Sequence, residues 1–145
     1  MKKNQRAALG IDHGTRRCGF AVADPLRLAT TPLAPWRDDA PGAGLFAHIA
    51  KLLDERDVDV FVIGLPRNMD GTEGPRALEV RAFAAQLSAQ FKKPRTVFVD
   101  ERLSTKAAED LLRDAQVRPR DRRALKDSFA ALVLLRDWIE SGEPD

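Results

Sequence analysis

Three acidic positions stand where an apolar run stops or a helix opens: Asp12, the neighbours Asp100 and Glu101, and Asp127. The first ends the run ALGID and leads directly into the turn HGTRR, with Gly14 and the pair Arg16 and Arg17 beside it. In open α/β sheets, sites gather at the carboxyl ends of parallel strands. With the strands at 6–12 and 95–100 as parallel neighbours, their terminal carboxylates lie side by side, and a buried last helix brings Asp127 to the same edge. Carboxylates crowded in this way repel one another unless cations sit among them, and hard, oxygen-seeking Mg²⁺ or Mn²⁺ suits such a cluster. Two such ions can activate water and stabilise the leaving oxygen in phosphodiester cleavage. Each acid alone also has an ordinary role, as a turn former at a strand end or, for Asp127, as a residue favoured at a helix N-terminus. Spacing by itself does not decide between the two.

The elements that must hold these acids follow from pattern. Residues 6–12 (RAALGID) and 17–24 (RCGFAVAD) predict two short strands joined by the HGTR turn. A third strand is expected within 27–36, confined to an edge by Pro32 and Pro35. Leu45, Ile49 and Leu52 or Leu53 recur at helical spacing and predict a helix over 43–55. DVFVIG at 59–64 is continuously apolar, as a strand covered on both faces would be. LPRNMDGTEGP at 65–75 is dense in breakers and predicts a loop. A helix to about Phe91 and the strand RTVFVD at 95–100 follow. Ser104 is a good N-cap for a helix to about Ala115, residues 116–126 (QVRPRDRRALK) look like a basic linker, and a last, buried helix spans 127–140. Three hairpin-like strands and then alternating helices and strands imply one mixed sheet with helices on both faces, an α/β class.

The 145 residues suffice for one domain with a real core. Hydrophobic content of 43% and charged content of 32% fit a soluble globular protein. One cysteine, Cys18, excludes an intrachain disulfide, so a reducing cytoplasm fits and a thiolate metal site does not. The N-terminal apolar run stops at Asp12, too short for a signal-peptide core, and FAALVLL at 129–135 is far too short for a membrane span. Net charge is only +2, but 17 arginines against 7 lysines favour rigid forks that match phosphate oxygens.

The motif GIDHGTRRCGFAVAD, the loop GLPRNMDGTEGP, the strand end VDERLST and the final KDSFAALVLL occur in this order in the YqgF/RuvX proteins, which the chain resembles over residues 6–140. That family has a ribonuclease H-like fold and is described both as a Holliday-junction resolvase and as a nuclease maturing the 5′ end of pre-16S ribosomal RNA. The resemblance implies that Asp12, Glu101 and Asp127 bind metal, with Asp100 as the adjacent alternative, and that two Mg²⁺ or Mn²⁺ ions serve a phosphodiester hydrolysis. The substrate-contacting residues expected with it are Gly14, Thr15, Arg16 and Arg17 in the first turn and Arg67 and Asn68 in the long loop. Arg102, Ser104 and Thr105 after the last strand complete the set. His13 and Cys18 depart from the family pattern without touching an acid. His13 is expected as a loop residue, since Mg²⁺ prefers oxygen, and Cys18 as packing. Met69 is expected to be packed, with a wedge against a base as its functional alternative.

Nucleic acid is the implied partner, either precursor rRNA or branched DNA, and a resolvase would need two active sites and hence a homodimer. RPRDRR at 118–123 offers four arginines as a phosphate-binding flank. With no tyrosine and few aromatics, recognition should rest on backbone and shape rather than on base stacking. Actin-like ATPases also use an Asp-x-Gly-Thr turn, matched here by Asp12 to Thr15, but close a cleft between two such domains. The glycine spacing is wrong for a dinucleotide fold, and no GK[ST] loop is present. A non-catalytic nucleic-acid module would have no need of all the acids.

Overall fold

Large and small apolar residues alternate along three of the strands, and that alternation sets the layering. In this computed structural model, residues 5–101 and 118–145 are described, the side chains of 119–123 excepted. The elements are β1 (Ala7–His13), β2 (Arg17–Ala23), β3 (Thr30–Arg37), α1 (Leu45–Asp54), β4 (Val58–Leu65), α2 (Pro75–Gln90), β5 (Arg95–Asp100) and α3 (Pro119–Glu140). The sheet order is β3-β2-β1-β4-β5. β1 pairs antiparallel with β2 and parallel with β4, β2 pairs antiparallel with β3, and β4 pairs parallel with β5. β3, with Pro32 and Pro35, takes the edge as expected.

The larger side chains Leu9, Ile11, Phe20, Phe61 and Ile63 face one way and pack with Ile49 and Leu52 of α1 and Val80 and Leu87 of α2. The small ones, Ala8, Ala21, Ala23, Val60 and Val62, face the other way and pack under Phe129, Leu132, Leu135 and Trp138 of α3. A sheet face built of Ala, Val and Gly lets a helix backbone lie close, because interiors fill at crystal-like density. At Gly10 a Cβ would come within 2.9 Å of the Ala131 carbonyl oxygen.

Two expectations change. Residues 119–126 form the first turns of α3, with Pro119 at its first position, rather than a linker. Asp127 therefore lies well inside the helix and not at its start. The helix expected from Ser104 to Ala115 lies outside the described residues.

Candidate active site

The strands at 6–12 and 95–100 run parallel, but they are not neighbours: β4 separates them. Asp12 and Glu101 meet across it for a reason that begins with the ladder. The Glu101 N–H donates to the Leu65 carbonyl at 3.0 Å, so β5's pairing extends one residue past Asp100. With the two-residue period of a strand, Val97, Val99 and Glu101 share the α3 face. Phe98 packs into the opposite core, and Asp100 follows it to that side. Asp12, two residues beyond Gly10, is on the α3 face as well. Between the two acids β4 presents Gly64, where a Cβ would come within 3.2 Å of the Glu101 carboxyl carbon and 3.3 Å of Oε2. The missing side chain leaves Glu101 free to lie across the strand end and hydrogen-bond Asp12.

Burial, then that hydrogen bond and the charge of Asp12, push the Glu101 carboxyl up to about 9, opposed weakly by Arg76. Two hydrogen-bonded carboxyl groups cannot both ionise cheaply, so Glu101 keeps its proton at neutral pH. The donor set is all oxygen, hard and anionic once that proton leaves. It fits Mg²⁺ or Mn²⁺ and does not fit a soft metal.

Asp127 reaches the same edge through backbone packing. A Cβ on Gly19 would lie 1.8 Å from the Asp127 carbonyl oxygen, so α3 crosses directly over this position of β2. Gly19 is in turn the cross-strand partner of Asp12. It also sits at a bulge, where the β2–β3 register shifts between Cys18 and Phe20. The fully buried Ser128 fills the break: its Oγ accepts from the Phe20 N–H at 3.1 Å and donates to the Leu33 carbonyl at 2.5 Å. The Asp127 carboxylate itself faces Arg17 and Arg37, at 3.7 and 3.9 Å. Among the described residues no three metal-ligating side chains form a group. The arrangement is a carboxylate pair with a third acid alongside, held by arginines, and not the three-acid cluster expected.

Of the other expected residues, Gly14, Thr15, Arg16 and Arg17 line a basin of about 510 Å³ beside this edge, joined by Arg37 and Arg76. His13 is the last residue of β1 rather than a loop residue. Its ring stacks on Phe83 with centroids 4.2 Å apart, and burial lowers its pKa. Cys18 is buried packing, as expected, its thiol pushed up by desolvation. In the loop after β4, Arg67 is exposed. Asn68 instead frames the turn, donating to Thr72 Oγ1 at 2.9 Å. Met69 is 94% exposed, not packed. Arg102, Ser104 and Thr105 lie outside the described residues. Sequence reasoning missed Ser128, Gly19, Gly64, Arg37 and Arg76. No local signal marks the two glycines, because which strands flank Asp12 and Glu101 is set by long-range pairing.

A family model described as "RuvX: Holliday junction resolvase" matches residues 6–141. The chain is 41% identical over 133 residues to the "Putative pre-16S rRNA nuclease" of Halalkalibacterium halodurans, covering 91% of this chain and 94% of that protein. It is 42% identical over 134 residues to the protein of the same name in Geobacillus kaustophilus, covering 92% and 96%. Among solved structures, Thermus thermophilus RuvC superposes with a TM-score of 0.58 at 12% identity, over 94% of this chain and 97% of that one. RuvC of the same organism in complex with a Holliday junction substrate gives 0.53 at 15%, over 96% and 98%. At such identities the likeness is one of fold, and that fold is the ribonuclease H-like class with a mixed five-stranded sheet.

Proposed function

We propose, from the premise that this chain belongs to the RuvX family, that it is a single-unit, cytoplasmic, metal-dependent nuclease trimming the 5′ end of precursor 16S ribosomal RNA. The observation that carries the hydrolytic reading is the Asp12–Glu101 pair meeting over Gly64. The names of the curated relatives support the RNA substrate. Asp12 and Glu101 would hold the divalent ions, with Asp127 as the third ligand. Glu101 is the preferred partner over Asp100 because it alone of the two shares a sheet face with Asp12. When bound, two such ions supply an activated water and neutralise charge at the departing 3′ oxygen. The protein's own part is to release the Glu101 proton, to keep the carboxylates fixed on the sheet edge, and to orient the strand through arginine–phosphate contacts. Among the described residues no Ser-His-Asp or Cys-His set is assembled, and the scheme uses no covalent intermediate.

A second reading, resolution of branched DNA by a homodimer, is favoured by the family description and the RuvC-like fold. The two are separated by incubating the protein with a 5′-extended 16S precursor and with a four-way DNA junction, each with Mg²⁺ or Mn²⁺ and with an Asp12→Asn control. The proposal expects RNA cleavage that the control abolishes. Paired nicking of the junction with the RNA intact would establish the second reading, and no cleavage of either would overturn the nuclease assignment.

A further inference from the structure

Arg17 and Arg37 are cross-strand partners of β2 and β3, and like charges placed directly opposite repel. Both turn to one carboxylate, that of Asp127, whose side chain is only 19% exposed while theirs are 62% and 49% exposed. At 3.7 and 3.9 Å these are long pairs, and long, half-exposed pairs hold weakly. The same two arginines form part of the basin with Arg16 and Arg76. Four guanidinium groups there outnumber the two carboxylates, Asp38 and Asp39, and Asp39 engages Arg37 through Nε at 3.2 Å. Arg76 is fixed as a wall, donating to the His13 carbonyl at 2.6 Å and to Glu79 at 2.7 Å. About 510 Å³ is room for a nucleotide unit rather than for a lone ion. A phosphate oxygen pair can meet an arginine fork in two short, charge-assisted bonds, which the long contacts to Asp127 do not provide.

We propose that this basin receives a phosphodiester of the strand adjacent to the one being cut, and that its arrival draws Arg17 and Arg37 from Asp127, freeing that carboxylate to join Asp12 and Glu101. The inference rests on the nuclease reading. The backbone of Asp127 already packs on Gly19, the cross-strand partner of Asp12, so its side chain starts from a position next to the pair. The divalent-ion site is thus completed by the strand it acts on. Strand binding and ion binding must then strengthen each other by one shared factor.

The test uses the full chain, Mn²⁺ and a short 2′-O-methyl oligoribonucleotide that resists cleavage. Mn²⁺ affinity is read from the paramagnetic signal of the free ion, and oligonucleotide affinity from fluorescence anisotropy. In the wild type the oligonucleotide should tighten Mn²⁺ binding roughly three- to tenfold, the coupling two weak ion pairs can supply. Arg17→Ala with Arg37→Ala should bind Mn²⁺ more tightly than wild type without the oligonucleotide, should bind the oligonucleotide more weakly, and should show no coupling. Arg37→Gln alone, at a half-exposed edge position, should move the same way by less and guards against misfolding of the double variant. Mn²⁺ affinity unchanged or weakened in these variants without the oligonucleotide would overturn the inference. Both readouts are binding, so lost coupling with wild-type cleavage intact defeats this inference alone. Absent cleavage with coupling intact defeats the nuclease reading instead.

Discussion

Replacing Gly19 with alanine probes the packing that delivers Asp127. The added Cβ would sit 1.8 Å from the Asp127 carbonyl oxygen, 2.6 Å from its carbonyl carbon and 3.0 Å from the Ser128 Cα, all of them backbone atoms. No rotamer change relieves such a contact, so α3 must retreat by roughly 1.5 Å to reach ordinary van der Waals separation. That retreat pulls Ser128 from the break in the β2–β3 ladder, lengthening its bonds to Phe20 and Leu33 beyond hydrogen-bonding range. Two buried bonds left unmade cost about 1–3 kcal/mol each, and overpacking adds about 1–3 kcal/mol. A loss of about 3–9 kcal/mol is expected in urea unfolding. Cleavage measured below the new transition should fall at least about a hundredfold, because a displacement near 1 Å at a catalytic group has that effect. Gly44→Ala, where a Cβ meets nothing within 4 Å, is the matched control, and as a change at the N-cap of α1 it should cost no more than about 1 kcal/mol. A Gly19→Ala protein within about 0.5 kcal/mol of wild type, with cleavage intact, would show that α3 does not depend on Gly19 for its place over β2.

Further expectations concern charge. The Glu101 carboxyl is raised in the folded state, so the fold binds the proton more tightly than the unfolded chain does. Stability in chelator is then full below the ordinary glutamate value and is lost as pH rises toward about 9. Glu101→Gln keeps the shape without the proton, and it should melt above wild type in chelator near pH 8 by on the order of 1–3 kcal/mol, converging with it near pH 5. A lower melting point for the variant at pH 8 would contradict this. Cleavage should need Mg²⁺ or Mn²⁺ and should fail with Ca²⁺, whose looser shell misplaces the water; robust activity in excess chelator would count against it. Alanine at Arg120, Arg122 and Arg123 together should reduce the slope of log affinity against log salt by up to about 2–3, at roughly 0.7–0.9 per lost phosphate contact. An unchanged slope would remove the start of α3 from the binding surface.

Much of this was legible in the chain. Continuous or alternating apolar runs marked all five strands, and Pro32 and Pro35 marked the edge. The ends of the helices were harder. RPRDRR hid the start of α3 because a solvated helix turn and a linker share the same charged composition, although Pro119 was an available signal. Strand order was not legible, since pairing is a long-range choice, and so the role of Gly64 as the gap beneath Glu101 was not legible either. The choice of Glu101 over Asp100 was implicit in the two-residue period, but only the position of α3 says which face matters. Ser128 could not be found in advance, because its task exists only where β2 bulges. Arg37 and Arg76 come from segments far from Asp12 in sequence, and nothing local announces that they share a basin with Arg17.

The claim that Asp12 and Glu101 form a divalent-ion centre over Gly64 is tested most directly by anomalous diffraction from crystals of the protein grown with Mn²⁺ near neutral pH. An anomalous peak in contact with carboxylate oxygens of both residues is expected, and its loss in Asp12→Asn crystals. A fully occupied peak elsewhere, with the Asp12–Glu101 hydrogen bond still intact, would contradict it.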